Sequence, residues 1–131
     1  MKKIIIFCIA FLTACTNLTR AEQDQLQLLK SYGITVDRPV GNYEKPANPA
    51  AAGLLNLLPG VGNFYLASGN GADSSHWLYG AGNLIFWPFS VFWGIPEAVV
   101  DANNINKREL LYYYQYDQRG RQEIYQTGIR L

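Results

Sequence analysis

From Pro46 to Asn106 the chain carries neither lysine nor arginine, and the only acids in that stretch are Asp73, Glu97 and Asp101. So long a run without basic charge is not a solvated surface. Its apolar side chains must be covered, either by one another or by lipid. Two apolar segments make it up. "AAAGLLNLLPGVGNFYLASGN" comes first, and a polar loop, "GNGADSSH", follows. Then comes "WLYGAGNLIFWPFSVFWGIPEAVV", which is uncharged from Trp77 to Pro96. A helix of that length would cover about 30 Å, roughly one hydrocarbon core. Trp77, Tyr79, Trp87 and Trp93 are side chains suited to a membrane interface. Pro59-Gly60 interrupts the first segment and Pro88 the second. A proline inside a helix removes a hydrogen bond and costs about 3 kcal/mol in water. The pattern predicts broken helices in a hairpin that reverses in the polar loop Gly69 to His76, with residues 50–109 as the apolar unit.

The flanks differ in composition. "TRAEQDQLQLLKSYG" reads as a short helix: Thr19 and Glu22 have capping-box spacing, and Gly33 suits the position just past the end. "ITVDRPVGNYEKPANP", with Pro39, Pro46 and Pro49, reads as an extended linker, so residues 15–49 are expected to form a helix and a tether. Beyond the apolar unit, a helix is expected to begin near Pro96, since proline suits the first turn and Glu97 and Asp101 suit the positive end of the dipole. In the tail, residues 110–131, Tyr112, Tyr114 and Tyr116 alternate and Asp117 to Gly120 can turn. A small β-hairpin and a continued helix are both open there, with aromatic content favouring the hairpin. The expected fold is mainly α: a short N-terminal helix, a broken apolar helical hairpin, and a C-terminal helix with or without that β-hairpin.

The N-terminus opens Met1-Lys2-Lys3 and runs through Ile4 to Leu12 almost without a polar group. The run is too short to span a bilayer and has the form of an export signal. It ends Leu12-Thr13-Ala14-Cys15, which resembles the lipobox of bacterial lipoprotein signal peptides. That resemblance implies removal of residues 1–14, a diacylglyceryl group on the Cys15 thiol, and acylation of the new N-terminus. Several acyl chains give stable anchoring to membrane lipid. Thr16 in place of Asp implies, by the enterobacterial sorting pattern, a periplasm-facing position at the outer membrane; the inner membrane is the alternative. With Cys8 removed and Cys15 lipidated, no thiol is left for a disulfide or a cysteine metal site.

Nothing in the chain assembles into a catalytic constellation. Asp73, His76, Glu97 and Asp101 offer oxygen and nitrogen donors, but no ligand-motif spacing joins them, and a polar loop with helix-cap acids explains them as well. Ser74 and Ser75 beside His76 lack a nucleophile elbow. "GVGNFY" and "GNGADS" lack the lysine and preceding strand of a phosphate loop. No enzyme, metal or cofactor is expected. Formal net charge is +1 with no basic patch, which leaves nucleic acid without a docking face. Pro59, Gly60 and Gly62 read as a structural turn, and Asn56 and Asn83 as hydrogen-bonding groups across the hairpin. Tyr112, Tyr114 and Tyr116 are the candidate partner surface.

"NLLPGVGNFYLASGNG" and "WGIPEAVVDANNINK", taken with the hairpin between them, resemble the bacterial TM-two-like domain. The shared positions are Pro59, Gly60, Gly62, Tyr65, Trp93, Asp101, Ala102 and Asn106, over about half the chain. The resemblance implies two hydrophobic segments in a membrane-associated hairpin and no known reaction. Two functional expectations follow. The first is a non-enzymatic envelope lipoprotein with a structural, scaffolding or assembly role, working with an envelope protein partner. The second is a lipid-tethered periplasmic binding module for a cell-wall or hydrophobic ligand, built as a soluble domain with a glycine-rich apolar core.

Overall fold

The computed structural model describes residues 17–69 and 74–130. Cys15 and the rest of the signal segment lie outside them, as does Asp73. The described residues form a mainly helical fold: α1 (Arg20–Ser31), α2 (Pro49–Leu55), α3 (Val61–Ser68), α4 (Ser75–Ile85), α5 (Val91–Gln115) and α6 (Gln118–Gln126). Among them there is no strand, only an isolated bridge between Thr35 and Arg38.

Local sequence explains the boundaries. Thr19 and Glu22 close a reciprocal capping box in front of α1. The helix ends in a Schellman arrangement: Gly33, at φ +79°, donates to the Lys30 carbonyl, and Ile34 donates to that of Leu29. Asn48 caps α2 through its side-chain oxygen, with Pro49 in the first turn. Asp117 caps α6 in the same way.

Helices α1, α2, α3 and α6 pack along α5, while α4 packs on α3 and reaches α5 through side chains. Near the C-terminal half of α5, Leu29, Ile34, Tyr43, Leu110, Leu111, Tyr114, Ile124 and Ile129 form a conventional apolar core. Around its N-terminal half, α2, α3 and α4 make an up-and-down array. Ala47 meets Asn106, Gly53 packs against Val99, and Asn56 bonds to Gly94, so α2 is antiparallel to α5. His76 lies beside Asp101, and Trp93 bonds to Asn83, so α4 is antiparallel to α5 as well. Phe64 stacks near Trp77 at 5.2 Å and Tyr65 reaches Asn48, which places α3 between α2 and α4 and running opposite to both.

Four sequence expectations are corrected here. The Pro-rich stretch is not a free tether: Ile34, Tyr43 and Ala47 are buried, and Tyr114 both accepts from the Val40 N–H and donates to its carbonyl. Helix α5 starts at Val91, with Pro96 inside it; the missing N–H falls in the second turn, where only the Phe92 carbonyl loses its partner. The tail forms no β-hairpin: α5 continues through Tyr112 and Tyr114 because the Tyr114 ring fills the core. Finally, the apolar region is a pair of short hairpins, and a Cβ built on Gly69 would lie 3.9 Å from the Pro46 carbonyl oxygen. The reversal after α3 therefore lies at the linker end, and the far end is made by the 56–60 and 86–90 turns.

Candidate membrane-facing end and its polar interior

Burial in this half runs opposite to the usual order. In α4 the inward positions are His76, Gly80 and Asn83, spaced i, i+4, i+7. The outward positions include Leu78 and Ile85, at 75% and 77% exposure, together with Trp77 and Leu84. In α2, Ala52 and Gly53 face inward, with Asn56 buried behind them, while Leu54, Leu57 and Leu58 are exposed. At the start of α5, Ser90 and Gly94 are buried, while Phe89 and Phe92 stand out, Phe92 at 83%. Trp87 is also exposed. Leu57, Leu58, Ile85, Trp87, Phe89 and Phe92 lie at or next to the two turns at one end of the array, whereas Trp77 and Leu78 extend the exposed apolar face along α4 to its start; no charged residue lies among them.

The interior is held by amides. Asn56 donates to the Gly94 carbonyl and to Asn63 Oδ1 (3.1 Å), and its own oxygen accepts from the Gly62 N–H at 2.9 Å. The Trp93 indole donates to Asn83 Oδ1 at 2.9 Å, and Ser90 Oγ donates to the Asn83 carbonyl at 2.7 Å. The expected bonding across the hairpin is made by Asn56, which reaches Gly94, whereas the Asn83 bonds to Trp93 and Ser90 stay within the second apolar segment. His76 Nδ1 lies 3.8 Å from Asp101 Oδ2, with both side chains fully buried. One turn earlier on α5, Glu97 is pushed up to about 7 by burial and by the Asp101 charge, and a contact from Asn83 pulls it part of the way back.

Glycine makes this packing possible. Gly60 sits at φ +81°, and a Cβ there would stand 2.2 Å from the Gly80 carbonyl oxygen; one on Gly62 would stand 2.1 Å from that of Ala52. Gly60 and Gly62 are thus at close backbone approaches, with Pro59 half-buried beside them. The candidate tyrosines separate. Tyr112 and Tyr116 are exposed and stack at 5.3 Å, whereas Tyr114 is buried at 1%. Ser74 is exposed. Among the described residues no three His, Cys, Asp or Glu side chains are grouped to hold a metal ion, and no helix is long and apolar enough to cross a membrane.

Sequence reading missed Asn63 and the depth at which His76 and Asp101 sit. It singled out Asn106 only as a shared position of the resemblance and missed its role, which is to bridge α5 to the linker by accepting from the Ala47 N–H and donating to the Ala47 carbonyl. The available signal was seven-residue spacing, Asn56 to Asn63 and Asn83 to Ser90, which joins polar groups across turns of an apolar run. No protein-family model, no curated protein and no solved structure matches the chain.

Proposed function

We propose that the protein is a lipid-anchored envelope lipoprotein with a non-enzymatic scaffolding or assembly role, held at the periplasmic face of the outer membrane by acylated Cys15 and by shallow insertion of its apolar end. The observation that carries this reading is the inversion of α4, with amide and imidazole inside and Trp77, Leu78, Leu84 and Ile85 outside. In water such a face is a penalty; in hydrocarbon it is the favoured arrangement. Depth also fits. From Val91 to Asp101, α5 rises about 15 Å, half of a hydrocarbon core of about 30 Å. The apolar end therefore matches one leaflet, and the two turns at its tip have neighbours to satisfy their backbone groups. The lipobox-like "LTAC" and the resemblance to TM-two-like domains support the same placement.

The test separates insertion from lipidation. Cys15→Ser with a conventional cleavable signal should still fractionate with membranes and require detergent. Release of that variant as a soluble monomer overturns insertion. Metabolic labelling with a fatty-acid probe should mark the wild type and not Cys15→Ser; equal labelling overturns lipidation.

A further inference from the structure

Away from the apolar end, a cleft of about 480 Å³ opens between α1, the 34–37 turn, the start of α2 and the middle of α5. Its volume lies in the range of small-molecule sites. Leu26, Ile34, Val36 and Leu110 contribute apolar lining, and Lys30, Lys45 and Lys107 contribute three ammonium groups. Asp37, the acid in the lining, is bonded to Lys45. Among the described residues Lys30 and Lys107 make no ion pair. Of the side-chain amides on the wall, Asn106 is bonded to Ala47 through both ends, while Asn48 caps α2 through its oxygen and Asn103 donates its amide to the Val99 carbonyl.

The chemistry of the wall selects its occupant. A sugar or cell-wall peptide needs neutral donors and acceptors or a ring to stack on. Here one amide is bonded at both ends, two others at one end each, and no aromatic side chain lines the cleft. What remains is an aliphatic floor beneath an excess of positive charge. We propose that this cleft binds an anionic single-chain amphiphile, with a carboxylate or phosphate head between Lys30 and Lys107 and an aliphatic tail along the half-buried Leu26 and Val36. Charge-assisted bonds to the head and burial of the tail supply the two parts of the affinity. The site lies beside the conventional core and does not depend on insertion of the apolar end.

The experiment uses the full chain in a non-ionic detergent and a dodecanoate carrying a photoactivatable diazirine near its methyl end. Crosslinks mapped by mass spectrometry should fall on peptides containing Leu26 or Val36. Lys30→Glu with Lys107→Glu should reduce that crosslinking at least tenfold with unchanged circular dichroism, and Lys30→Arg with Lys107→Arg should retain it. Phe92→Ser, at the apolar end, should leave it unchanged. Competition by unlabelled dodecanoate alone identifies a fatty carboxylate; competition by dodecyl phosphate as well extends the site to phosphate-headed lipids. Crosslinks confined to the apolar end, equal labelling in the glutamate variant, or equal competition by dodecyltrimethylammonium would each overturn the proposal.

Discussion

Glycines at positive φ separate two physical costs. Gly33 and Gly60 have nearly the same backbone, φ +79° and +81°, but a Cβ on Gly33 meets nothing within 4 Å whereas one on Gly60 meets the Gly80 backbone. Gly33→Ala should therefore cost only the left-handed penalty, roughly 1–2 kcal/mol. Gly60→Ala must also push α3 away from α4 and should lose several times as much. Chemical denaturation of the two variants in one detergent measures the difference, and equal midpoints would count against the close approach. Glu97 makes a pH prediction. Its folded pKa is raised to about 7, so the folded state holds a proton that the unfolded state releases near 4.5. This contribution is full below that lower value and is lost as pH rises through about 7, a decline of roughly 1–3 kcal/mol. Glu97→Gln should flatten it, as thermal melts between pH 5 and pH 8 can record.

At the scale of elements, much was readable in the sequence. Thr19, Glu22 and Gly33 delimit α1 by capping chemistry alone, which needs no tertiary contact. Pro59 and Pro88 mark interruptions because proline acts locally. Facing direction was less readable. Asn63 and His76 look like loop or turn residues in a linear reading, and only the array of neighbouring helices turns them inward. The linker was misread for the same reason: its prolines forbid a regular helix, yet they do not prevent docking against α5. Two side chains carry that docking. Asn106→Ala would strand the N–H and C=O of Ala47 in a buried site and should cost about 2–4 kcal/mol. Tyr114→Phe keeps the ring and removes both bonds to Val40, for about 1–2 kcal/mol. Faster amide exchange at residues 40–47 in each variant, with α6 unchanged in the phenylalanine one, would locate the loss.

The whole molecule has two halves with opposite solvent preferences along one helix. On the insertion reading, accessibility should divide along the same line. Single cysteines at Lys45, Ser74 and Lys107 should all react with a membrane-impermeant reagent, since all three positions lie at the linker end or on the charged flank. Cysteines at Ile85 and Phe92 should stay protected until detergent is added. Ready reaction at Phe92 in native membranes would refute burial of the tip. The charge pattern of the sequence anticipated a division of this kind. It placed the reversal between α3 and α4 but not the fold-back inside each apolar segment, because hydropathy counts residues along the chain and cannot see that α3 folds back beside α2.

Beyond Pro96, α5 continues unbroken to Gln115. At 1.5 Å per residue that stretch is a lever of about 28 Å, with the exposed apolar end toward one tip and the Tyr112–Tyr116 stack at the other. If the embedded end tilts by about 10°, the far tip sweeps about 5 Å, because the helix carries the rotation without bending. On the insertion reading, the angle at which the short turns settle in a leaflet sets where the tyrosine pair points, and a change in leaflet thickness registers there as a change of aim.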